Sequence, residues 1–147
     1  MEEVVESGSI LQLWFLIYIG GITMKITLAM GKEAYDIAKK VYFGHLSRNE
    51  GKMEINKVTG MNAGSAQAFI TIFLAMMDGN EYKRAFNNAT NKFLLESIKR
   101  DFGDEAFQKA LSAAQKHVNY YATLNKGKLK GLQEIIDQLS EKYVHAQ

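Results

Sequence analysis

Ser47–Gly79 reads SRNEGKMEINKVTGMNAGSAQAFITIFLAMMDG, and this stretch decides the fold. It opens on a capping box. The Ser47 hydroxyl can accept from the Glu50 amide while the Glu50 carboxylate reaches back to the Ser47 amide. A helix therefore runs from Ser47 to Thr59. Gly60 is placed to close it in a left-handed conformation, and Asn62 can cap a second helix that opens on Ala63, Gly64, Ser65 and Ala66. That second helix, Asn62–Met77, is apolar on most sides through Phe69, Ile70, Ile72, Phe73, Leu74, Met76 and Met77, so it should be the buried centre of the fold. Helix, glycine corner and helix give the outline of a helix-turn-helix. The N-terminus of the second helix carries partial positive charge and can meet a phosphate.

The flanking sequence continues in helices. One is expected over roughly Lys32–His45, with Ala34, Ile37, Ala38, Val41 and Tyr42 on one face. Asp78-Gly79-Asn80 breaks the chain, and Glu81–Asn87 lacks helical periodicity and reads as an extended connection. A helix follows over Asn88–Phe102, stopped by Gly103. Asp104 is expected to cap the next, which runs to Leu124 with Phe107, Ala110, Leu111, Ala114, Val118 and Tyr121 at spacings of three and four. After the corner Asn125-Lys126-Gly127, a last helix carries Leu129, Leu132, Ile136, Leu139 and Tyr143. That seam spans only about two heptads, which suits packing on the domain better than a zipper. The expected fold is all-α, a compact bundle of five to six short helices with the helix-turn-helix-like pair at its centre.

Composition agrees. The 147 residues are 47% hydrophobic and 23% charged, with no proline and no cysteine. That is enough chain for one domain with a real core. The absence of proline favours helices joined by Gly, Asn and Asp corners. The absence of cysteine excludes disulfides, thiol chemistry and cysteine-based zinc sites, and it is compatible with the cytoplasm, where we expect the protein.

Residues 1–23 stand apart. They hold Glu2, Glu3 and Glu6, no base, and the apolar run Ile10–Ile19. The run is too short to span a bilayer, and a secretory signal would begin with basic residues. Both mismatches argue against a membrane role, which would depend on this extension being made. A docked strand or helix remains open. So does a mis-assigned start, since Gly20-Gly21 lies just before Met24 and its codons can spell a ribosome-binding site. We take 24–147 as the single helical domain. Over it, 18 basic residues face 13 acidic ones, a net charge of +5, which permits an anionic partner without requiring one.

Catalytic patterns are missing. His45, His117 and His145 lack metal-ligand spacing. No glycine-rich phosphate loop, nucleophile elbow or His-Glu-x-x-His is present. Asp101, Asp104 and Glu105 sit at a helix end and a helix start, where they need no catalytic role. We therefore expect neither enzyme activity nor a cofactor, and no small-molecule substrate is evident. His117 reads as a histidine bonded at a helix–helix seam. The basic residues carry more information. Lys83 and Arg84 lie in the connection between Tyr82 and Phe86, a strap able to grip a sugar–phosphate backbone, unless Tyr82 and Phe86 are core. Lys126, Lys128 and Lys130 crowd the last corner and read as a solvated surface.

The run Gly60-Met61-Asn62-x-Gly64-Ser65-Ala66, followed by Phe69-Ile70, Phe73 and Gly79, resembles the N-terminal helical head region of bacterial HNH restriction-type endonucleases. The pattern continues through Tyr82-x-Arg84, Asn87, Phe93-Leu94, Ile98, Asp101-Phe102-Gly103, Ala110-Leu111 and His117 with Tyr120-Tyr121, and it covers roughly residues 34–124. The resemblance implies DNA recognition, or the organisation of a restriction enzyme, in a phage-defence setting. The His-Asn-His nuclease module is absent from this sequence, so the match is to the head alone. The expected function is non-enzymatic DNA binding. Ser65 and the free amides after Asn62, Gly64 among them, would meet phosphate, with Arg48, Lys83 and Arg84 supplying charge. The rival is a protein-interaction module, either a homodimer through the last helix or an adaptor for a partner nuclease. If Met24 is the true start, the intact mass of the native protein will correspond to residues 24–147; a mass that includes Met1 refutes this.

Overall fold

A computed structural model describes residues 26–144, and the expectations for residues 1–23, for Met24 and for His145 lie outside them. The described chain is all-helical: α1 Leu28–Tyr42, α2 Arg48–Thr59, α3 Ala63–Asp78, α4 Asn88–Phe102, α5 Asp104–Ala122 and α6 Lys130–Val144.

Most helix ends are set by side chains. The Ser47–Glu50 capping box opens α2, and Gly60 at φ 80° closes it. Asn62 caps α3, and Gly79 at φ 73° ends it. Asn87 caps α4 through the Thr90 amide. Two boundaries differ from expectation. Helix α1 starts four residues before Lys32, because Thr27 Oγ1 accepts from the Met30 amide at 3.1 Å. It also ends before His45, where Gly44 at φ 80° lets the His45 amide bond back to the Lys40 carbonyl at 2.8 Å. Asp104 does not cap α5. Gly103 holds the N-cap position without a side-chain bond, and the Asp104 carboxylate pairs with Lys99.

Helix α3 sits at the centre, against α1, α2 and α5. It buries Ala66, Phe69, Ile70, Ile72, Phe73, Met76 and Met77. Each large side chain among these contributes about 1.5–3 kcal/mol on burial. Leu132, Ile136 and Leu139 of α6 are buried too, and α6 packs on α4 and α5. Its apolar seam is thus taken up inside the bundle. The second helix of the central pair is therefore core along most of its circumference, with Gln67 and Thr71 as the exposed polar residues of its middle turns.

Away from α3, Asp101 of α4 ties α1 to α4. It accepts from the Tyr35 hydroxyl at 2.8 Å, from Lys39 at 3.1 Å, and from both Arg100 nitrogens at 2.8 and 2.9 Å. The Arg100 guanidinium leads in holding its carboxyl well below the usual carboxylate range.

Close approach of α2 depends on one glycine. A Cβ at Gly51 would collide with Val41 Cγ2 of α1 and stand 3.1 Å from Ile70 Cδ1 of α3. Val41 is β-branched in a helix and has essentially one rotamer, so it cannot turn away. Gly51→Ala should lose about 1–2 kcal/mol in urea unfolding, overpacking outweighing the gain in helix propensity. A stabilised variant would show that α1 and α2 are free to part.

Candidate functional site

The expected site residues fall into two groups. Asn62 and Ser65 belong to the start of α3. Asn62 Oδ1 accepts from the Ser65 amide at 2.8 Å, and Ser65 is 7% exposed. Ser65 is therefore part of the core, and its amide is not free for phosphate. Asn62 caps as expected, and the expectation of a Ser65 phosphate contact through a free amide is corrected. Ser65 occupies the third helical position, which here faces inward, and the Asn62 side chain is the cap that serves its amide.

The second group converges. Gly64, Gln67, Ala68, Thr71 and Ala75 form an outward stripe on α3, and the chain at Glu81–Arg84 runs beside it. Between them lies an open groove of about 590 Å³. Lys83 and Arg84 stand on its wall, and Gly64 is on its floor. Arg48, from the first turn of α2, donates from Nη2 to Thr71 Oγ1 at 2.6 Å, a contact with one residue of the lining that leaves Arg48 itself outside it. Both Lys83 and Arg84 are exposed. Among the described residues Arg84 has no hydrogen-bond or ion-pair partner. Glu81 also lines the groove, so its charge is mixed with a basic excess.

Tyr82 and Phe86 do not grip anything outside. Tyr82 is 4% exposed and Phe86 is equally buried. Phe86 packs on Phe69 with ring centroids 5.2 Å apart. Tyr82 stacks on His117 at 4.5 Å and 16°. The two aromatics anchor the connection and turn the intervening Lys83 and Arg84 outward. Helix α5 fastens the same segment at three points. Lys116 donates to the Gly79 carbonyl at 2.8 Å, His117 Nδ1 meets the Tyr82 carbonyl at 2.7 Å, and Lys83 lies over the Tyr120 ring at 5.3 Å. His117 is thus bonded to the connection rather than across a helix seam. Burial lowers its pKa, with the Tyr82 carbonyl and Glu81 opposing. No sequence pattern marks this contact, which spans 35 residues.

His45 is exposed at the far end of α1, beside the Phe43 ring. Among the described residues no group of three or more His, Cys, Asp or Glu side chains is placed to hold a metal ion. No helix among them is long and apolar enough to cross a membrane. Comparison with known protein families, with curated proteins and with solved structures finds no match for this chain.

The arrangement sets the exposed Lys83 and Arg84, with Glu81 between them and the α3 corner, along one open groove. If Asn62 serves as a cap, Asn62→Ala should cost about 1 kcal/mol in urea unfolding while Asn62→Asp keeps most of the stability. Equal stability of wild type and Asn62→Ala would contradict the capping role.

Proposed function

We propose that the chain is a non-enzymatic DNA-binding domain that holds the phosphate backbone along the groove between α3 and the 80–87 connection. The observation that carries this reading is that Lys83 and Arg84 line one open groove and Arg48 is bonded to Thr71, which lines it too. The three come from two separated segments, and two of them extend from a connection whose neighbouring aromatics are held in the core. Cations on an exposed wall meet phosphates without reading bases, so the binding is salt-dependent and weakly selective. The restriction or phage-defence setting rests on the sequence resemblance alone, and under it the domain is an accessory to a nuclease supplied by another protein. We place it in the cytoplasm because the absence of cysteine suits a reducing compartment.

One observation favours the rival interaction module. Tyr42 and Phe43 are 42% and 57% exposed at the end of α1, and Phe43 stacks on Phe102 at 5.7 Å. An apolar surface of this kind suits a protein partner.

Titration of a short duplex at several salt concentrations separates the two. Three phosphate contacts give a log–log salt slope of about −2.7, and Arg84→Ala should weaken binding several-fold and reduce the slope by about 1. Lys128→Ala, on the last corner, should change neither. No binding at micromolar protein in low salt, together with a dimer in sizing chromatography, would instead establish the interaction module.

A further inference from the structure

The wall that carries Lys83 and Arg84 has no helical hydrogen bonds of its own. Its Phe86 end is held by Phe69 of α3 and by Asn91 of α4, whose Nδ2 donates to the Phe86 carbonyl; the position of its Tyr82 end depends on what reaches it from α5. Lys116 and Lys83 make their contacts through exposed side chains, where such contacts are weak. The buried fastening is His117, which is 1% exposed and touches a single residue of the wall in two ways, through the Tyr82 carbonyl and through the Tyr82 ring.

The tautomer follows from the partner. A carbonyl oxygen only accepts, so Nδ1 carries the proton and donates, and Nε2 is left as a bare acceptor. Nε2 is buried and has no hydrogen-bond partner, and the Tyr82 hydroxyl is in the same condition. A second proton would create a buried N–H on a cation with nothing to receive it. Such a group is disfavoured in place. A ring that leaves its pocket takes the proton more readily, and leaving breaks both contacts with Tyr82.

The surroundings offer the cation no relief. Helix α3 has no charged residue between Ala63 and Met77. Helix α4 turns Asn91, Leu94 and Leu95 inward and leaves Lys92 exposed. Helix α6 contributes Leu132 and Ile136 to the core, and its Gln133 pairs with Gln115. On α5 itself, the neighbouring Lys116 is turned to the Gly79 carbonyl. On the connection, Lys83 is turned to Tyr120, and Glu81 is the carboxylate that acts on the ring. Its attraction is smaller than the penalty of burial.

We propose that His117 is a proton-sensitive latch for the groove wall: neutral, it holds the Tyr82 end of the 80–87 connection on α5, and protonated, it releases that end and with it Lys83 and Arg84. Gating of a bound nucleic-acid backbone by this latch rests on the reading of the groove given above; the latch itself does not. The sign is set by the two states. The released ring protonates near the ordinary histidine value of 6.5, and the seated ring resists protonation to lower pH. Opening is therefore favoured as pH falls below about 6.5, tenfold per pH unit until the seated ring titrates. Duplex affinity then falls on acidification, opposite to the direction that added positive charge on a DNA-binding surface would produce.

Solvent exposure of the Tyr82 ring, read as relaxation of its protons by a soluble paramagnetic agent between pH 7.5 and 5, tests the latch without any nucleic acid. His117→Asn is the informative variant, since its amide can donate near the Nδ1 position and does not ionise. Wild-type exposure of the ring should rise below pH 6.5, by up to about tenfold per pH unit, and in His117→Asn it should stay flat. Flat exposure in wild type, or an equal rise in both proteins, would overturn the proposal. Should His117→Asn fail to fold, the ring resonances of wild-type His117 decide: a titration coinciding with the exposure of Tyr82 supports the latch, and titration with Tyr82 still covered refutes it. The short duplex of the preceding section, titrated at pH 7.5 and 5.5, separates the two ideas. A pH-dependent exposure of Tyr82 with no binding at either pH leaves the latch standing and removes the DNA reading.

Discussion

Helix α3 must be covered, and the rest of the molecule is arranged to cover it. Its sequence from Ala66 to Met77 is apolar on nearly every side, so no single neighbour can bury it. Helices α1, α2 and α5 pack around it, and α2 comes close enough that Gly51 has no room for a side chain. What these three leave open is the narrow stripe Gly64, Gln67, Ala68, Thr71 and Ala75. The 80–87 connection runs along that stripe instead of a fourth helix and inserts Tyr82 and Phe86 beside it. The groove is thus the remainder of an incomplete covering. Its floor mixes the small residues Gly64, Ala68 and Ala75 with Gln67, Thr71 and Ile72.

The elements bounded by side-chain chemistry were legible before the structure. Ser47 with Glu50, Gly60, Asn62 and Gly79 mark the ends of α2 and α3, and Gly103 marks the end of α4; the observed boundaries fall within a residue of those readings. The start of α1 was not legible. Its first turn, Leu28-Ala29-Met30-Gly31, contains a glycine and no apolar repeat, and its cap, Thr27, precedes the periodic window. The Gly31 position is explained only by Thr90 of α4, whose Cγ2 would lie 3.3 Å from a Cβ there. Asp104 was misread for a related reason. An acidic residue after glycine suits both the N-cap and the first helical turn, and its side chain pairs with Lys99 instead of its own helix.

The site was legible in its residue types and not in its grouping. Arg48, Gly64, Lys83 and Arg84 were each visible as candidates, but what brings the last three to one groove is the path of a segment without periodicity. Tyr82 shows why such a path resists reading. An aromatic beside two cations can face solvent or core with equal ease, and the residue that decides it is His117, 35 positions away. Ser65 fails in the opposite sense. A small hydroxyl in the first turn of a helix suggests an exposed phosphate contact, yet helix phase turns it inward, and Asn62 takes its amide.

The division of labour among the charges follows from the same geometry. Asp101 gathers three donors on the seam between α1 and α4, where both partners are on rigid helices and the contacts brace the bundle. The cations of the groove are held differently. Lys83 and Arg84 ride on a segment whose backbone has no ladder, held at its Phe86 end by α3 and α4 and at its Tyr82 end by the contacts of Lys116, His117 and Tyr120 from a single face of α5. Of the contacts from α5, the histidine contact alone is buried and the histidine alone titrates near neutrality. Whatever binds at Lys83 and Arg84 therefore also senses the state of α5, and a ligand that needs both cations in place would bind the seated form of His117 more tightly than the released one.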